Sequence, residues 1–254
     1  MAVTENGHWE IGGVLFGPGT PYGTVTVQGL GVPDSKTLDS DPAYGDGGLA
    51  GPDFLSVREL VFQWDVDLDP DDPDSDEIVQ AMTGVFRPRN AREDVVVASY
   101  RRWGRNRRFL GRPRGLILPW DADFFIGAGR ASGRFVCHDP VSYDDDASDV
   151  TDSGTFDVEN AGNYPVWPTV VVTGPGTTVV LTNEETGEDV TLVDLPGDAT
   201  VDFKARSVIV GGTDEYGTVQ PSPQWWQLQP GVNSLTMTGA SSFSVQYRSG
   251  WASA

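Results

Sequence analysis

Apolar residues in this chain recur mostly at every second position, in short runs. The clearest run is Val57 to Val66. Leu60, Phe62, Trp64 and Val66 share one face of a strand there, and Glu59, Gln63 and Asp65 share the other. Ile11 to Phe16 and Tyr22 to Leu30 read as two more strands, joined by Gly17-Pro18-Gly19-Thr20-Pro21. Glu93 to Tyr100 and Arg134 to His138 read as strands as well. One stretch breaks the rule. Ile78, Val79, Met82, Val85 and Phe86 fall at helical spacing, with Asp74 as the expected N-cap, Glu77 as its reciprocal partner and Pro88 as the stop.

Further along, the pattern becomes a series of short strands. They are Thr155 to Glu159, Val166 to Thr173, Thr177 to Thr182, Asp189 to Val193, Thr200 to Phe203 and Ser207 to Val210, then Trp225 to Leu228, Ser234 to Thr238 and Phe243 to Arg248. Turn signals such as Thr186-Gly187 and Pro196-Gly197 separate them, which is the spacing of a sandwich. Ahead of the series lies Asp144-Asp145-Asp146-Ala147-Ser148-Asp149, whose sole apolar side chain is Ala147. Such a spacer is expected to stay in water and mark a boundary, giving domains 1–148 and 149–254. Residues 33–53 are rich in Asp, Gly and Pro, with Leu38, Tyr44 and Leu49 as isolated anchors. A loop of that length either reaches a neighbour or lies loosely on the surface. The expected class is mostly β: two β-sandwich domains, the first carrying one short helix.

Composition supports this picture and limits the partners. Thirty-one Gly and 18 Pro suit a turn-rich sandwich. A formal charge of -20 opposes a duplex-binding face, because such a face must neutralise phosphates. Lysine occurs only at Lys36 and Lys204, so positive charge comes from arginine. It gathers at Arg101, Arg102, Arg105, Arg107, Arg108, Arg112 and Arg114. Trp103 and Phe109 interleave with these, as on a single-strand platform, but the rest of the chain repels nucleic acid. Pairing with carboxylates, on the same chain or on another copy, fits better. The lone Cys137 precludes an intrachain disulfide and reads as a buried structural thiol. No apolar run reaches the roughly 18 residues of a membrane span. The N-terminus lacks the regions of a signal peptide, so synthesis in a cytoplasm and solubility are expected.

Candidate chemistry is sparse. His8 and His138 are the only histidines, and no Gly-x-Ser-x-Gly elbow accompanies them. They and one cysteine scarcely make a zinc site. An EF-hand beginning at Asp65 would need Gly and Glu where Pro70 and Asp76 stand. Gly127-Ala128-Gly129 does not continue as a dinucleotide fingerprint. No catalytic residue, metal or cofactor is therefore assigned. Trp167 and Trp225 could stack on sugars if exposed, although core packing is the commoner fate of tryptophan.

Several motifs occur in a distinctive order. Asp139-Pro140-Val141-Ser142-Tyr143 closes the first half, and Asn160-Ala161-Gly162-Asn163-Tyr164-Pro165-Val166-Trp167-Pro168 opens the second. Leu15-Phe16-Gly17-Pro18-Gly19-Thr20-Pro21-Tyr22 and Arg112-Pro113-Arg114 lie upstream. Leu228-Gln229-Pro230-Gly231-Val232-Asn233 and Tyr247-Arg248-Ser249-Gly250-Trp251 lie downstream. Together they resemble the distal tail proteins of long-tailed, non-contractile phages and related viruses. That resemblance implies a tail-tube-like first sandwich and a galectin-like second one. It implies a structural virion protein, not an enzyme, at the distal end of the tail. Such a protein forms a ring, a hexamer, that joins the tail tube protein to tail-tip or hub proteins and, through them, to receptor-binding proteins. The genome would pass through the lumen without specific binding. The arginines of 101–114 would then be expected at inter-subunit seams. The alternative is a carbohydrate-binding sandwich acting in host-surface recognition, and an enzyme built on an unrecognised carboxylate pair ranks third.

Overall fold

The computed structural model describes residues 3–40, 48–69, 71–89, 95–118 and 128–253. The chain divides into two compact units. One is Met1–Ser142 with Ala252–Ala254, and the other is Tyr143–Trp251.

Unit 1 contains β1 (Trp9–Ile11), β2 (Val14–Phe16), β3 (Val25–Gln28), β4 (Ser35–Thr37), β5 (Asp53–Leu55), β6 (Arg58–Asp67), α1 (Asp74–Phe86), β7 (Val96–Arg102), β8 (Arg105–Ile117) and β9 (Ala128–Cys137). Antiparallel pairing sets the order β2-β1-β7-β8-β9-β6-β3, while β4 and β5 form a separate two-stranded sheet. The alternation in β6 does what it predicts: Leu60, Phe62, Trp64 and Val66 are all buried. α1 covers that face with Met82, Val85 and Phe86. Phe86 stacks on Trp64 with ring centroids 5.5 Å apart, and Trp64 Nε1 donates to Met82 Sδ at 3.2 Å. Gly133 on β9 makes the approach possible, because a Cβ there would stand 2.3 Å from the Phe86 ring.

α1 begins with Asp74, Asp76 and Glu77, whose charges suit the positive end of the helix dipole. It ends because Arg87 precedes Pro88 and is held extended, at φ -62° and ψ 148°. The expected Asp74 cap is not made. Pro73 occupies the cap position without a side-chain cap bond, and Asp72 Oδ1 accepts the Asp74 N–H at 3.0 Å. The expected anchors of the 33–53 segment also fail: Leu38 and Leu49 are 62% and 64% exposed, and Tyr44 lies outside the described residues. His8, by contrast, is buried, with Nε2 2.9 Å from Pro18 O.

The head of β6 holds a surprise. Arg58 faces inward with Leu60 and is only 2% exposed. Its Nε donates to Pro140 O at 2.7 Å, Nη1 to Gly29 O and Gly31 O at 2.8 and 2.7 Å, and Nη2 to Ala252 O at 2.6 Å. The guanidinium also lies 5.1 Å from the centre of the Phe109 ring. Arg58 thus helps to tie the chain's last residues to unit 1, together with a longer contact, Arg107 Nη1 to Ser253 O at 3.5 Å.

β10 (Ser142–Asp144) begins on the last residue of the first segment of unit 1, and unit 2 continues with β11 (Ser148–Asp152), β12 (Gly154–Asn160) and β13 (Thr169–Asn183). It continues with β14 (Glu188–Val193), β15 (Ala199–Asp202), β16 (Ser207–Val210), β17 (Thr213–Asp214), β18 (Gly231–Tyr247) and β19 (Gly250–Trp251). β13 and β18 each serve two faces. β12 pairs with β18 from Gly231 to Met237, and β11 pairs with it from Phe243 to Tyr247. β14 pairs with β13 from Thr178 to Asn183, and β15 pairs with it from Thr169 to Val172. Both strands bend where their mutual register shifts between Pro175 and Val180. Gly239 sits at that bend with φ +87°, and a Cβ on it would come 1.8 Å from Thr178 O. The enclosed core includes Val170, Leu181, Trp226, Leu235 and Phe243.

Three expectations change here. The expected strands Val166 to Thr173 and Thr177 to Thr182 merge into one, which starts at Thr169, and Ser234 to Thr238 and Phe243 to Arg248 merge into another, which ends at Tyr247. Gly174-Pro175-Gly176 and Gly239 bend the chain instead of reversing it. The acidic spacer is not free in water throughout: Ser148–Asp152 is a strand on the edge of β18, with Val150 against the core. Trp225 to Leu228 is not a strand, and Leu228 instead makes an isolated bridge to Val166.

Three outcomes are expected. Trp64→Ala costs roughly 3–5 kcal/mol in denaturant titration, and a change below about 1 kcal/mol contradicts the packing described. Arg58→Leu strands four carbonyls and costs unit 1 about 3 kcal/mol or more. Deleting residues 252–254 lowers the stability of unit 1 and spares unit 2, as separate unfolding probes would read. A further outcome concerns pH. Burial pushes the Cys137 thiol from its ordinary 9.0 up to about 12, with Arg58 pulling the other way. The unfolded chain loses that proton first, so stability is intact below the unfolded value and falls as pH rises toward the folded one. The slope is up to about 1.4 kcal/mol per pH unit. Tyr22 and Tyr100 are raised by burial in the same direction. Cys137→Ala should therefore flatten the alkaline loss of stability in part; an unchanged profile contradicts the assignment.

Candidate interaction surface

β7 and β8 form the basic hairpin. Their register sets Arg102 opposite Arg105, Arg101 opposite Asn106, Tyr100 opposite Arg107 and Ser99 opposite Arg108. The two-residue turn is Trp103-Gly104, at φ +49° and +81°. A hairpin turn this short follows the strand twist only with positive φ at both positions. Glycine adopts that freely, whereas tryptophan is strained there. Trp103 is 82% exposed, and the Arg102 guanidinium lies 3.9 Å from the centre of its ring.

Alternation along β8 disperses the arginines. Phe109, Gly111 and Pro113 turn inward and are buried, and Arg107 shares their face near the hairpin tip beside Tyr100. Arg108 and Arg112 lie on the other face, and Arg108 Nε is buried with no hydrogen-bond partner among the described residues. Arg101 Nη1 donates to Asn106 Oδ1 at 3.1 Å. Past a bulge between Pro113 and Gly115, Arg114 is exposed, with Nη2 3.5 Å from His138 Nε2. The structure therefore disperses the seven candidates rather than gathering them in one patch. Arg102 and Arg105 flank the tip, and Arg112 and Arg114 lie at the far end of β8.

At that far end, Arg112 and Arg114 meet Arg87 and Arg89, which follow α1. Together they line a groove of about 410 Å³. Phe86, Pro88, Pro113 and Leu116 supply its apolar lining. Arg89 Nε is buried without a hydrogen-bond partner among the described residues. The sequence reading missed Arg87 and Arg89. The available signal was their position just past Phe86, where a helix ends and its neighbouring strands must pass. Other arginines pair within the sheet: Arg130 Nε donates to Asp65 Oδ1 at 3.0 Å, and Arg134 holds both Glu59 oxygens at 2.8 Å. The Arg134 hydrogen bonds hold the Glu59 carboxyl below its usual value. Both pairs are well exposed and contribute little to stability.

In unit 2, Trp167 and Trp225 are partly buried and pack against the core, with Trp225 edge-on to Phe203 at 5.4 Å. Trp226 is fully buried and donates from Nε1 to Leu181 O. Among the described residues no group of three or more His, Cys, Asp and Glu is placed to hold a metal ion.

The motif residues of unit 2 satisfy backbone. Buried Asn160 donates through Nδ2 to Tyr164 O and Leu228 O and accepts the Gly162 N–H. Buried Asn233 bridges Gln229 and Gly231. The final motif closes on the unit's start: Tyr247 Oη donates to Glu159 O, Arg248 to the carbonyls of Asp144 and Asp145, and Trp251 Nε1 to Asp144 Oδ1. Gly162 lies so near Gly250 that a Cβ on it would stand 1.9 Å from Gly250 O.

Residues 161–251 match the family model of the siphovirus-type tail component, C-terminal domain. No curated protein matches the chain. Among solved structures, the SPP1 Dit (gp 19.1) protein is similar over 94% of this chain and 97% of its own, with a TM-score of 0.74 and 20% identity. Its structure is described as a paradigm of the hub adsorption apparatus in phages infecting Gram-positive bacteria. Two structures of the phage P2 baseplate in its activated conformation, with calcium and with strontium, align over 95% of this chain and 97% of theirs. Each has a TM-score of 0.55 and 6% identity. Residues 161–251 are thus similar to the C-terminal domain of siphovirus-type tail components, and the chain as a whole shares its fold with the SPP1 Dit protein.

Proposed function

We propose that this chain is a distal tail protein, a structural component that forms a six-fold ring between the tail tube and the tip proteins of a long-tailed virion. The observation that carries this reading is the fold likeness to SPP1 Dit, which spans both units together and not the family-matched segment alone. Its task is scaffolding without bond chemistry, and its partners are further copies of itself, the tube protein and the hub. Subunits of charge -20 repel one another unless opposite charges meet at the seams. The basic hairpin supplies those charges to carboxylates of a neighbouring copy. The remaining acidic surface lines the lumen, where it keeps the genome from sticking.

Electron microscopy of the purified protein should show six-fold rings; a chain that stays monomeric up to its solubility limit overturns the reading. The seam is tested by reversing Arg102 and Arg105 to Glu. These two are exposed, whereas Arg107 and Arg108 are part-buried and less safe to reverse. The variant should keep its circular dichroism and melting temperature yet assemble poorly at low salt, with added salt screening the new repulsion and restoring part of the assembly. Unaltered assembly at low salt removes the hairpin tip from the seam.

A further inference from the structure

Unit 1 carries two surface features suited to contact. The first is the two-stranded arm of β4 and β5, extended by a bridge between Ser40 and Leu49. A lone two-stranded ribbon is marginal in water. This one also displays large apolar side chains: Val32, Leu38, Leu49, Phe54 and Val57 are 66%, 62%, 64%, 55% and 53% exposed. These are five of the eleven exposed large hydrophobics among the described residues, gathered on one short segment. Such clustering marks an interaction surface and not a chance scatter. The second feature is the groove at the end of α1. It offers apolar walls from Phe86, Pro88, Pro113 and Leu116 and a rim of four arginines.

The two surfaces complement each other. The arm bears Asp34, Asp39 and Asp53 against one cation, Lys36. The groove bears Arg87, Arg89, Arg112 and Arg114. A groove with those arginines disfavours the basic hairpin tip as its occupant, although that tip also presents an exposed tryptophan. The arm and groove of one copy belong to different parts of the sheet order. The arm follows β3 at one edge of the sheet, and the groove borders β8, three strands away in the order β8-β9-β6-β3. At about 4.8 Å per strand that is roughly 14 Å. We infer that the β4–β5 arm of one copy docks in the α1–β8 groove of the next, its apolar side chains against the groove walls and its carboxylates on the arginine rim. Because donor and acceptor are different surfaces, the contact is head-to-tail. Repetition of such a contact closes a ring or runs on as a filament, and closure rests on the ring reading above.

The experiment uses two full-length variants. One carries Leu49→Ser and Phe54→Ser on the arm, and the other carries Arg87→Glu and Arg114→Glu, both exposed, at the groove. All four side chains lie outside the buried core, so each variant should fold as the parent does, by circular dichroism and melting temperature. Sedimentation should show each variant alone assembling roughly thirty-fold or more weakly than the parent. The decisive arm is the mixture. The arm variant keeps an intact groove and the groove variant an intact arm, so together they should give heterodimers and nothing larger. Rings from either variant, at parental affinity, overturn the arm-in-groove contact and leave the ring reading standing. A parent that is itself monomeric overturns both. A mixture that remains monomeric, with the parent forming rings, also overturns the head-to-tail pairing.

Discussion

Unit 1 depends on a cation that has no carboxylate beside it in its network of carbonyls. Arg58 enters the interior at the head of β6 and forms no ion pair among the described residues; it donates to four main-chain carbonyls instead. Removing a guanidinium from water is costly, and the cost is offset only when its donors are used. The fork geometry of arginine allows that here, because its nitrogens diverge toward segments that approach from different directions. Those segments are the exit of β3, the turn after β9 and the chain's end. Burial lowers the Arg58 pKa, but an arginine starts so high that the charge survives. One side chain thus closes what strand pairing leaves open: three irregular stretches whose carbonyls would otherwise be buried without donors.

Unit 2 solves the same problem with neutral groups. Asn160, Asn183 and Asn233 are fully buried, and each bonds the backbone on both its donor and acceptor sides. An amide can satisfy one N–H and one or two carbonyls at a chain crossing without importing charge. The glycines beside them matter through size, as at Gly162 against Gly250. Such residues define where the chain may cross itself, while the apolar core needs only the right volume and pattern. That division explains how a fold can persist at 20% identity to SPP1 Dit and 6% to the P2 baseplate chains.

The parts of the fold legible in the sequence were those where side-chain periodicity and burial coincide. β6 and α1 were read correctly because their apolar residues all face one core. Arg58 was not, since a charged residue at a strand's head reads as solvent-facing and only the carbonyls converging on it say otherwise. β13 and β18 were split because Gly174-Pro175-Gly176 and Gly239 carry the same local signal whether a chain reverses or merely bends. Tertiary pairing with the long partner strand decided between the two. Ser148–Asp152 looked like a solvated spacer because its stabilisation comes from ladder hydrogen bonds along β18, which leave no trace in hydrophobicity. At the candidate surface, the run of arginines was evident, but its partition was not. Strand alternation and one bulge send Arg102 and Arg105 to the tip and Arg112 and Arg114 to a groove completed by Arg87 and Arg89.

Charge ties these observations together. The ion pairs Arg130–Asp65 and Arg134–Glu59 of unit 1 are exposed and stabilise its fold little. The acidic excess acts instead through the field of the whole surface. It raises solubility and opposes association, and a protein that must nonetheless associate has to concentrate its cations where contact occurs. With 17 Lys and Arg against 37 Asp and Glu, an even spread would leave no basic surface at all. Instead arginines cluster at a hairpin tip beside a strained, exposed tryptophan and around one apolar groove. Placing scarce cations next to exposed apolar surface combines the two ingredients of a specific interface: a desolvated anchor, and a charge that selects which partner may cover it.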